Sequence, residues 1–251
     1  MSPRGRATAV ISGGSAGIGA ATAIRLAAEG FDVVVGARRI ERVEEIARVT
    51  GGRALELDVT DPGSVDRFAS ELDDCSLLVN NAGLAIGTDS IAELTDERAR
   101  IMWETNVLGL LRMTRTLLPL LEQADTGHII NVGSIAGFEV YPGGAGYTAS
   151  KHAVRAITRT LRLELLGKPI RITEVAPGLV ETEFSVVRFE GDTDKAKTPY
   201  EGMTPLTADD IADCIAWAAT RPPHVNIDEI VVRPVAQAAA TLVARKDDAS
   251  R

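Results

Sequence analysis

Short apolar, β-rich runs alternate along the chain with stretches of helical periodicity. Residues 8–12, 32–36, 54–57, 76–79, 128–132, 170–175 and 229–232 read as strands. Residues 18–29, 40–49, 64–72, about 97–122, 145–166 and 208–219 read as helices, with Gly30 and Gly51–Gly52 closing the first two. The strands are near-continuous apolar runs rather than alternating ones, which predicts a parallel sheet covered on both faces. Right-handed crossovers then give an α/β fold with a doubly wound parallel sheet. No linker or internal repeat interrupts the pattern, so residues 1–251 are expected to form one domain.

Two segments stand apart. Residues 181–207 are polar, carry Gly191, Pro199 and Pro205, and have weak periodicity. An irregular stretch of that length predicts a lid or binding loop. The tail after Ala240 ends in Arg245-Lys246-Asp247-Asp248 and is expected to fray.

Bulk properties narrow the partners. The 251 residues carry 35 acidic against 27 basic side chains, a net charge of -8. That balance disfavours nucleic acid and anionic membranes. No run of 18 apolar residues is present, and Met1 to Arg6 are too short and polar for a signal peptide. Cys75 and Cys214 are isolated thiols that suit a reducing compartment. Neither they nor His128, His152 and His224 have metal-ligand spacing, so no metal is expected. A cytoplasmic protein that takes a small molecule is the expectation.

The chemistry begins in the first strand–helix turn, Ser12-Gly13-Gly14-Ser15-Ala16-Gly17-Ile18-Gly19. Gly13 can turn the chain with φ above zero. Gly17 keeps no side chain between backbone and a diphosphate, and Gly19 lets the helix pack closely on the strand. The helix N-terminus offers free N–H groups to phosphates. Gly13 to Gly17 also fits the G-x-S-x-G nucleophile elbow of hydrolases. An elbow at Ser15 would leave no upstream strand–helix loop to complete an oxyanion hole. Ser15 is therefore expected to hydrogen-bond a phosphate.

The second strand ends Val35-Gly36-Ala37-Arg38-Arg39. An NAD site usually has Asp or Glu near this point for the ribose 2′-hydroxyl. Here Ala37 takes that place, and Arg38 and Arg39 can clamp a 2′-phosphate by paired, charge-assisted bonds. NADP is the expected cofactor.

Tyr147-Thr148-Ala149-Ser150-Lys151 places a phenol and an ammonium four residues apart on one helical face. A nearby ammonium favours the phenolate, which fits Tyr147 to take a proton from an alcohol or give one to a ketone. Ser134, after the fifth strand, can hydrogen-bond the substrate oxygen.

With these features in family order and spacing, the chain resembles the short-chain dehydrogenase/reductase family over nearly its whole length. The matches are the turn at 13–19, Asn80-Asn81-Ala82-Gly83, Asn106, Ser134, Tyr147-x-x-x-Lys151 and Pro177-Gly178. Ser12 stands where the family motif usually opens with Thr. The resemblance implies a Rossmann fold and an NADP-dependent oxidoreductase. It makes Tyr147 the general acid/base and gives Lys151 the nicotinamide ribose. It gives Ser134 the substrate oxygen, and Asn106 a water in a proton relay from Lys151. It puts Asp58 and Val59 against the adenine, with Asn80, Ala82 and Gly83 on the adenosine side. Pro177, Gly178, Val180 and Thr182 should meet the nicotinamide end, Thr182 near the carboxamide.

Residues 80–87, 183–192 and 224–227 are more closely similar to NADP-dependent 3-hydroxy acid and serine dehydrogenases. That makes Arg188 a candidate for a substrate carboxylate, or else an arginine that pins the lid to an acidic neighbour. Val231-x-Arg233-Pro234 is similar to clavulanate-type aldehyde reductases. Glu139, on a loop expected to edge the pocket, would repel a carboxylate unless it faces solvent. A non-catalytic NADP sensor would keep the glycine turn without needing Asn106, Ser134, Tyr147 and Lys151 together. The family also implies a homotetramer or homodimer, with helices 97–122 and 145–166 packing on their copies and residues 231–242 adding a further contact.

Overall fold

The computed structural model describes residues 6–246. Met1 to Gly5, and Asp247 and Asp248 of the expected tail, lie outside the described residues. Seven parallel strands form one sheet in the order β3-β2-β1-β4-β5-β6-β7. They are β1 (Thr8–Ser12), β2 (Asp32–Ala37), β3 (Arg53–Glu56), β4 (Leu77–Asn80), β5 (Gly127–Val132), β6 (Ile170–Pro177) and β7 (Glu229–Val232). The order reverses between β1 and β4, so the chain winds outward in both directions from that point. β1, β4 and β5 are buried along their whole length, which is why their sequences read as near-continuous apolar runs, with His128 and Asn131 of β5 the buried polar exceptions in its interior.

On one face lie α1 (Gly17–Ala28), α2 (Ile40–Thr50) and α9 (Ala208–Ala219). The buried stripe of α9 includes Ala212, Ala216 and Ala219, small side chains that let it lie close against Ala23 and Leu26 of α1. The other face carries α3 (Pro62–Ser70), α5 (Leu110–Gln123) and α6 (Ala145–Glu164). There Phe68, Met113, Leu117 and Leu121 pack on Val10, Leu78 and Ile129 of the sheet.

Three elements differ from the sequence reading. The long helix expected at 97–122 is α4 (Asp96–Trp103), a π-helical turn (Glu104–Gly109) and α5. The wide turn contains Asn106, which is buried and meets the backbone of Leu84 with its side chain. Such insertions leave the apolar period nearly intact, so they are silent in the pattern. The segment expected to be irregular contains α7 (Glu183–Arg188), α8 (Thr193–Lys197) and a 3₁₀ turn (Thr198–Tyr200). Helices this short show no periodicity; each α-helical piece is started instead by a side-chain cap, Thr182 on Phe184 N–H and Asp192 on Lys195 N–H.

The tail is not frayed through Lys246. Ala240 N–H donates to the Glu139 carboxylate, Ala244 N–H to the Ala236 carbonyl at 2.8 Å, and Arg245 reaches the carbonyls of Pro199 and Glu201.

α9 starts in a reciprocal cap. Thr207 Oγ1 accepts from Asp210 N–H and the Asp210 carboxylate accepts from Thr207 N–H. Thr207→Ala should cost about 1 kcal/mol and lower Tm by about 2–4 °C in a domain this size. Thermal denaturation checks this, and an unchanged Tm would contradict it.

Candidate active site

The C-terminal ends of β1, β2, β4, β5 and β6 open onto one cleft of about 760 Å³, in the range of small-molecule sites. Its floor is the β1–α1 turn. Gly13 has φ +68°, and a Cβ there would lie 2.7 Å from Ala82 Cα. A Cβ on Gly19 would lie 2.4 Å from the Gly13 carbonyl oxygen, so the helix can sit this close only as glycine. Ser12 Oγ accepts from the N–H groups of Asn81 and Ala82 at 3.1 and 3.2 Å, tying the turn to the end of β4.

Arg38 and Arg39 stand exposed on the far wall. Arg39 donates to Ser15 Oγ at 3.1 Å and pairs with Glu183 of α7 at 2.9 Å. Ala37 is buried and brings no carboxylate to the ribose position. Asp58 and Val59 line the adjoining wall. Burial works against ionisation of Asp58, but hydrogen bonds from Thr60 and the charge of Arg38 leave its carboxyl below the ordinary range.

Ala82, Gly83, Pro177, Gly178, Val180 and Thr182 line the cleft with Gly17 and Ile18. Asn80 does not. It is 4% exposed and donates to Thr114 Oγ1 and Asn131 Oδ1, each at 2.9 Å, on the α5 side of the sheet. Side chains alternate across a strand, so its neighbour Asn81 takes the cleft side. Asn81 Nδ2 donates to the carbonyls of Ser12 and Gly13 at 3.1 and 3.0 Å. Asn106 also stays behind the cleft wall. Its Oδ1 accepts from Leu84 N–H at 2.8 Å, and its Nδ2 donates to the Leu84 carbonyl and Ser150 Oγ. It clamps residues 83–84, with one Oδ1 lone pair left over.

Tyr147 and Lys151 share the inner face of α6, with Lys151 Nζ 5.9 Å from the phenol ring centre. Lys151 is buried and donates to the Val132 carbonyl at 2.9 Å. Burial pulls its ammonium down to about 8, against an upward pull from Glu174. Tyr147 is raised by burial and drawn back by Arg188 and by a hydrogen bond with Ser134. Among the side chains of the cleft, the cation that favours the phenolate is thus Arg188, whose guanidinium lies 5.0 Å from the ring centre. Ser134 Oγ also accepts from Ala136 N–H at 3.1 Å.

Arg188 is turned inward from α7. It contacts the rings of Tyr147, Phe184 and Tyr141 and donates to Tyr141 Oη at 2.6 Å. Its Nε is buried without a hydrogen-bond partner. Among the described residues it pairs with no carboxylate; the acidic neighbour Glu190 pairs with Arg98 at 2.7 Å instead. Glu139 is tied to Arg233, which with the Ala240 N–H holds its carboxyl below the ordinary range. It does not line the cleft, so the repulsion expected of it is removed.

Four side chains escaped the sequence reading. Asn81 was hidden by strand alternation, and Glu183 by its distance in sequence from Arg39. Gln237, buried, accepts from Leu179 N–H at 2.9 Å and supports the 178–179 backbone. Glu174 left a signal, the lone acid inside β6.

Residues 7–192 match the family described as short chain dehydrogenase. The chain belongs to that family. This short-chain dehydrogenase is 56% identical over 233 residues to an uncharacterized oxidoreductase of Mycobacterium tuberculosis, covering 93% of each chain. It is 45% identical over 250 residues to the NADP-dependent 3-hydroxy acid dehydrogenase of Schizosaccharomyces pombe, covering 95% of this chain and 96% of that one. A closed serine dehydrogenase solved with NADP+ superposes with a TM-score of 0.90 at 37% identity, covering 95% and 99%.

Asn81→Ala removes two hydrogen bonds from the glycine turn, worth about 1 kcal/mol each. Affinity for NADP+ should fall by about tenfold or more, read by titration calorimetry. An unchanged affinity would mean that the turn holds its shape without Asn81.

Proposed function

We propose that the chain is an NADP-dependent dehydrogenase of small 3-hydroxy acids, acting through Tyr147, Lys151 and Ser134, with Arg188 holding the substrate carboxylate. The observation that carries the substrate class is Arg188. It is a guanidinium drawn inside the cleft beside the phenol, with a buried, unpartnered Nε and, among the described residues, no carboxylate upon it. An arginine fork matches two carboxylate oxygens. The relatives named for 3-hydroxy acid and serine dehydrogenation agree with this reading.

The residues present fit the cofactor. The glycine turn forms a cradle that added Cβ atoms would fill, and Arg38 and Arg39 stand where a 2′-phosphate would need cations. When bound, NADP supplies the hydride acceptor or donor. Tyr147 Oη takes the hydroxyl proton during oxidation and returns it during reduction. Ser134 Oγ hydrogen-bonds the same oxygen. Lys151 holds the nicotinamide ribose and adds positive charge behind the phenol. Asn106 fixes the 83–84 wall against which Lys151 packs, and its free Oδ1 lone pair is where a relay water would attach.

Residues 181–207 act as a lid. Glu183 links it to Arg39 across the mouth of the cleft, so a 2′-phosphate arriving at Arg39 competes directly with that link. We further propose a homotetramer. Ile101 and Trp103 on α4, Leu163 on α6, and Val231, Val235 and Leu242 near the C-terminus leave apolar surface uncovered. Free Cys75 and Cys214 suit the cytoplasm, and no helix among the described residues is long and apolar enough to cross a membrane. Light scattering measures the assembly.

Turnover of serine and other 3-hydroxy acids with NADP+ should exceed turnover with NAD+. Tyr147→Phe should lower kcat by about 10²–10⁴-fold. Arg188→Leu should lower kcat/KM for 3-hydroxy acids by about tenfold or more beyond its effect on alcohols lacking a carboxylate. Steady-state kinetics on paired substrates tests this. An equal loss on both would remove Arg188 from substrate recognition, and efficient reduction of neutral aldehydes alone would favour an aldehyde reductase.

A further inference from the structure

Glu174 lies in the middle of β6 and is 2% exposed. Burying a carboxylate costs several kcal/mol unless it is fully paired and hydrogen-bonded. This one is not. Oε1 has no hydrogen-bond partner, and Oε2 is 3.9 Å from Arg155 Nη1, the outer limit of an ion pair. Arg155 is already engaged by both oxygens of Glu229, one arm at 2.8 Å. A group kept only for stability would be better replaced there by glutamine or an apolar side chain.

Its position says what it serves. A Cβ on Gly133 would lie 2.2 Å from Glu174 Oε1, so the carboxylate presses against the backbone of that residue. Gly133 joins Val132, whose carbonyl receives Lys151 Nζ, to Ser134. The carboxylate therefore sits beneath the short turn that holds both the ammonium and the serine. The charged groups facing it are Lys151, Arg155 and Arg159 from α6 and Glu229 from β7. At that end β5 and the residue after it contribute Asn131, Val132 and Gly133, none of them charged. Arg155, the nearer cation, is shared with Glu229; Lys151 makes no ion pair with a carboxylate among the described residues, and it meets Glu174 through the Val132–Gly133 turn that both touch.

We propose that Glu174 is a positioning residue for Lys151: from beneath the Val132–Ser134 turn, its carboxylate keeps the buried ammonium charged and seated against the Val132 carbonyl. The proposal deepens the reading above and rests on it for its consequence in catalysis. Electrostatically, it does not need turnover to be tested. Burial pushes Glu174 above the ordinary carboxylate range, with Arg155 and Lys151 pulling it back. In the same pocket Lys151 is lowered by burial to about 8 and supported by Glu174. Removing the carboxylate leaves the burial and takes away the support, so Lys151 should lose its proton at lower pH.

The test is an NMR titration of the free protein labelled at lysine Cε. The lysines are Lys151, Lys168, Lys195, Lys197 and Lys246, and Lys151→Met identifies the signal. Glu174→Gln should lower the Lys151 midpoint by about one pH unit, and Glu174→Asp should restore most of it. In kinetics, the alkaline limb of the kcat profile should move down by the same amount in Glu174→Gln, a displacement that mere loosening of the fold would not produce. A fall in kcat that is uniform across pH, with an unmoved Lys151 midpoint, overturns the proposal and leaves the dehydrogenase reading standing. A moved midpoint in a protein that oxidises no 3-hydroxy acid supports the coupling and rejects the substrate reading. If Glu174→Gln does not fold, the reciprocal measurement decides. The Glu174 carboxyl midpoint, followed by carbon NMR, should rise in Lys151→Met, and no rise would overturn the proposal.

Discussion

An ammonium buried at the C-terminal edge of a parallel sheet is an expensive thing to hold, and much of this structure follows from holding it. Lys151 is 6% exposed and rests on one backbone carbonyl, at the end of β5. That carbonyl belongs to Val132, the last residue of the strand. The same parallel geometry gathers the ends of β1, β2, β4 and β6 around it. Loops leaving those ends can carry polar groups without disturbing the apolar layers above and below. The cleft is thus a by-product of the winding order, and its chemistry comes from which residues stop the strands.

Charge in the cleft is arranged in pairs that can be exchanged. Arg39 is held by Glu183, and Arg188 rests on aromatic rings rather than on an acid. Glu139, expected from the sequence to oppose an anion, is held by Arg233 and the backbone of Ala240. What remains facing the cleft from the lid and the far wall is positive and only partly satisfied, in a chain whose net charge is -8. A local excess of that sign in an acidic protein fits an anionic cofactor and an anionic substrate.

Much of this was legible in the residues. The central strands announced themselves because burial on both faces keeps most of their positions apolar. The glycine turn and the Tyr147–Lys151 pair are local, and local spacing survives in sequence. What could not be read was whatever depends on which way a side chain turns or on distant partners. Asn80 and Asn81 differ by one position and face opposite sides of the sheet, so it is Asn81, not Asn80, whose side chain reaches the glycine turn. The π-turn at Glu104–Gly109, which contains Asn106, leaves the hydrophobic period undisturbed and so left no mark in the pattern. Glu183 meets Arg39 across more than a hundred residues, and the fate of Glu139 depended on Arg233. The short lid helices rest on single caps rather than on a stripe of apolar positions, which is why their segment read as irregular.

The central claim is spatial: one cleft brings a dinucleotide from the glycine turn to the phenol of Tyr147 and the ammonium of Lys151. A crystal structure of the protein with NADP+ tests it most directly. The account predicts the diphosphate over the 13–19 turn, the 2′-phosphate on Arg38 and Arg39 with Glu183 displaced, and the nicotinamide beside Tyr147 and Lys151. A dinucleotide bound elsewhere, or one whose nicotinamide end lies away from those two side chains, would contradict it.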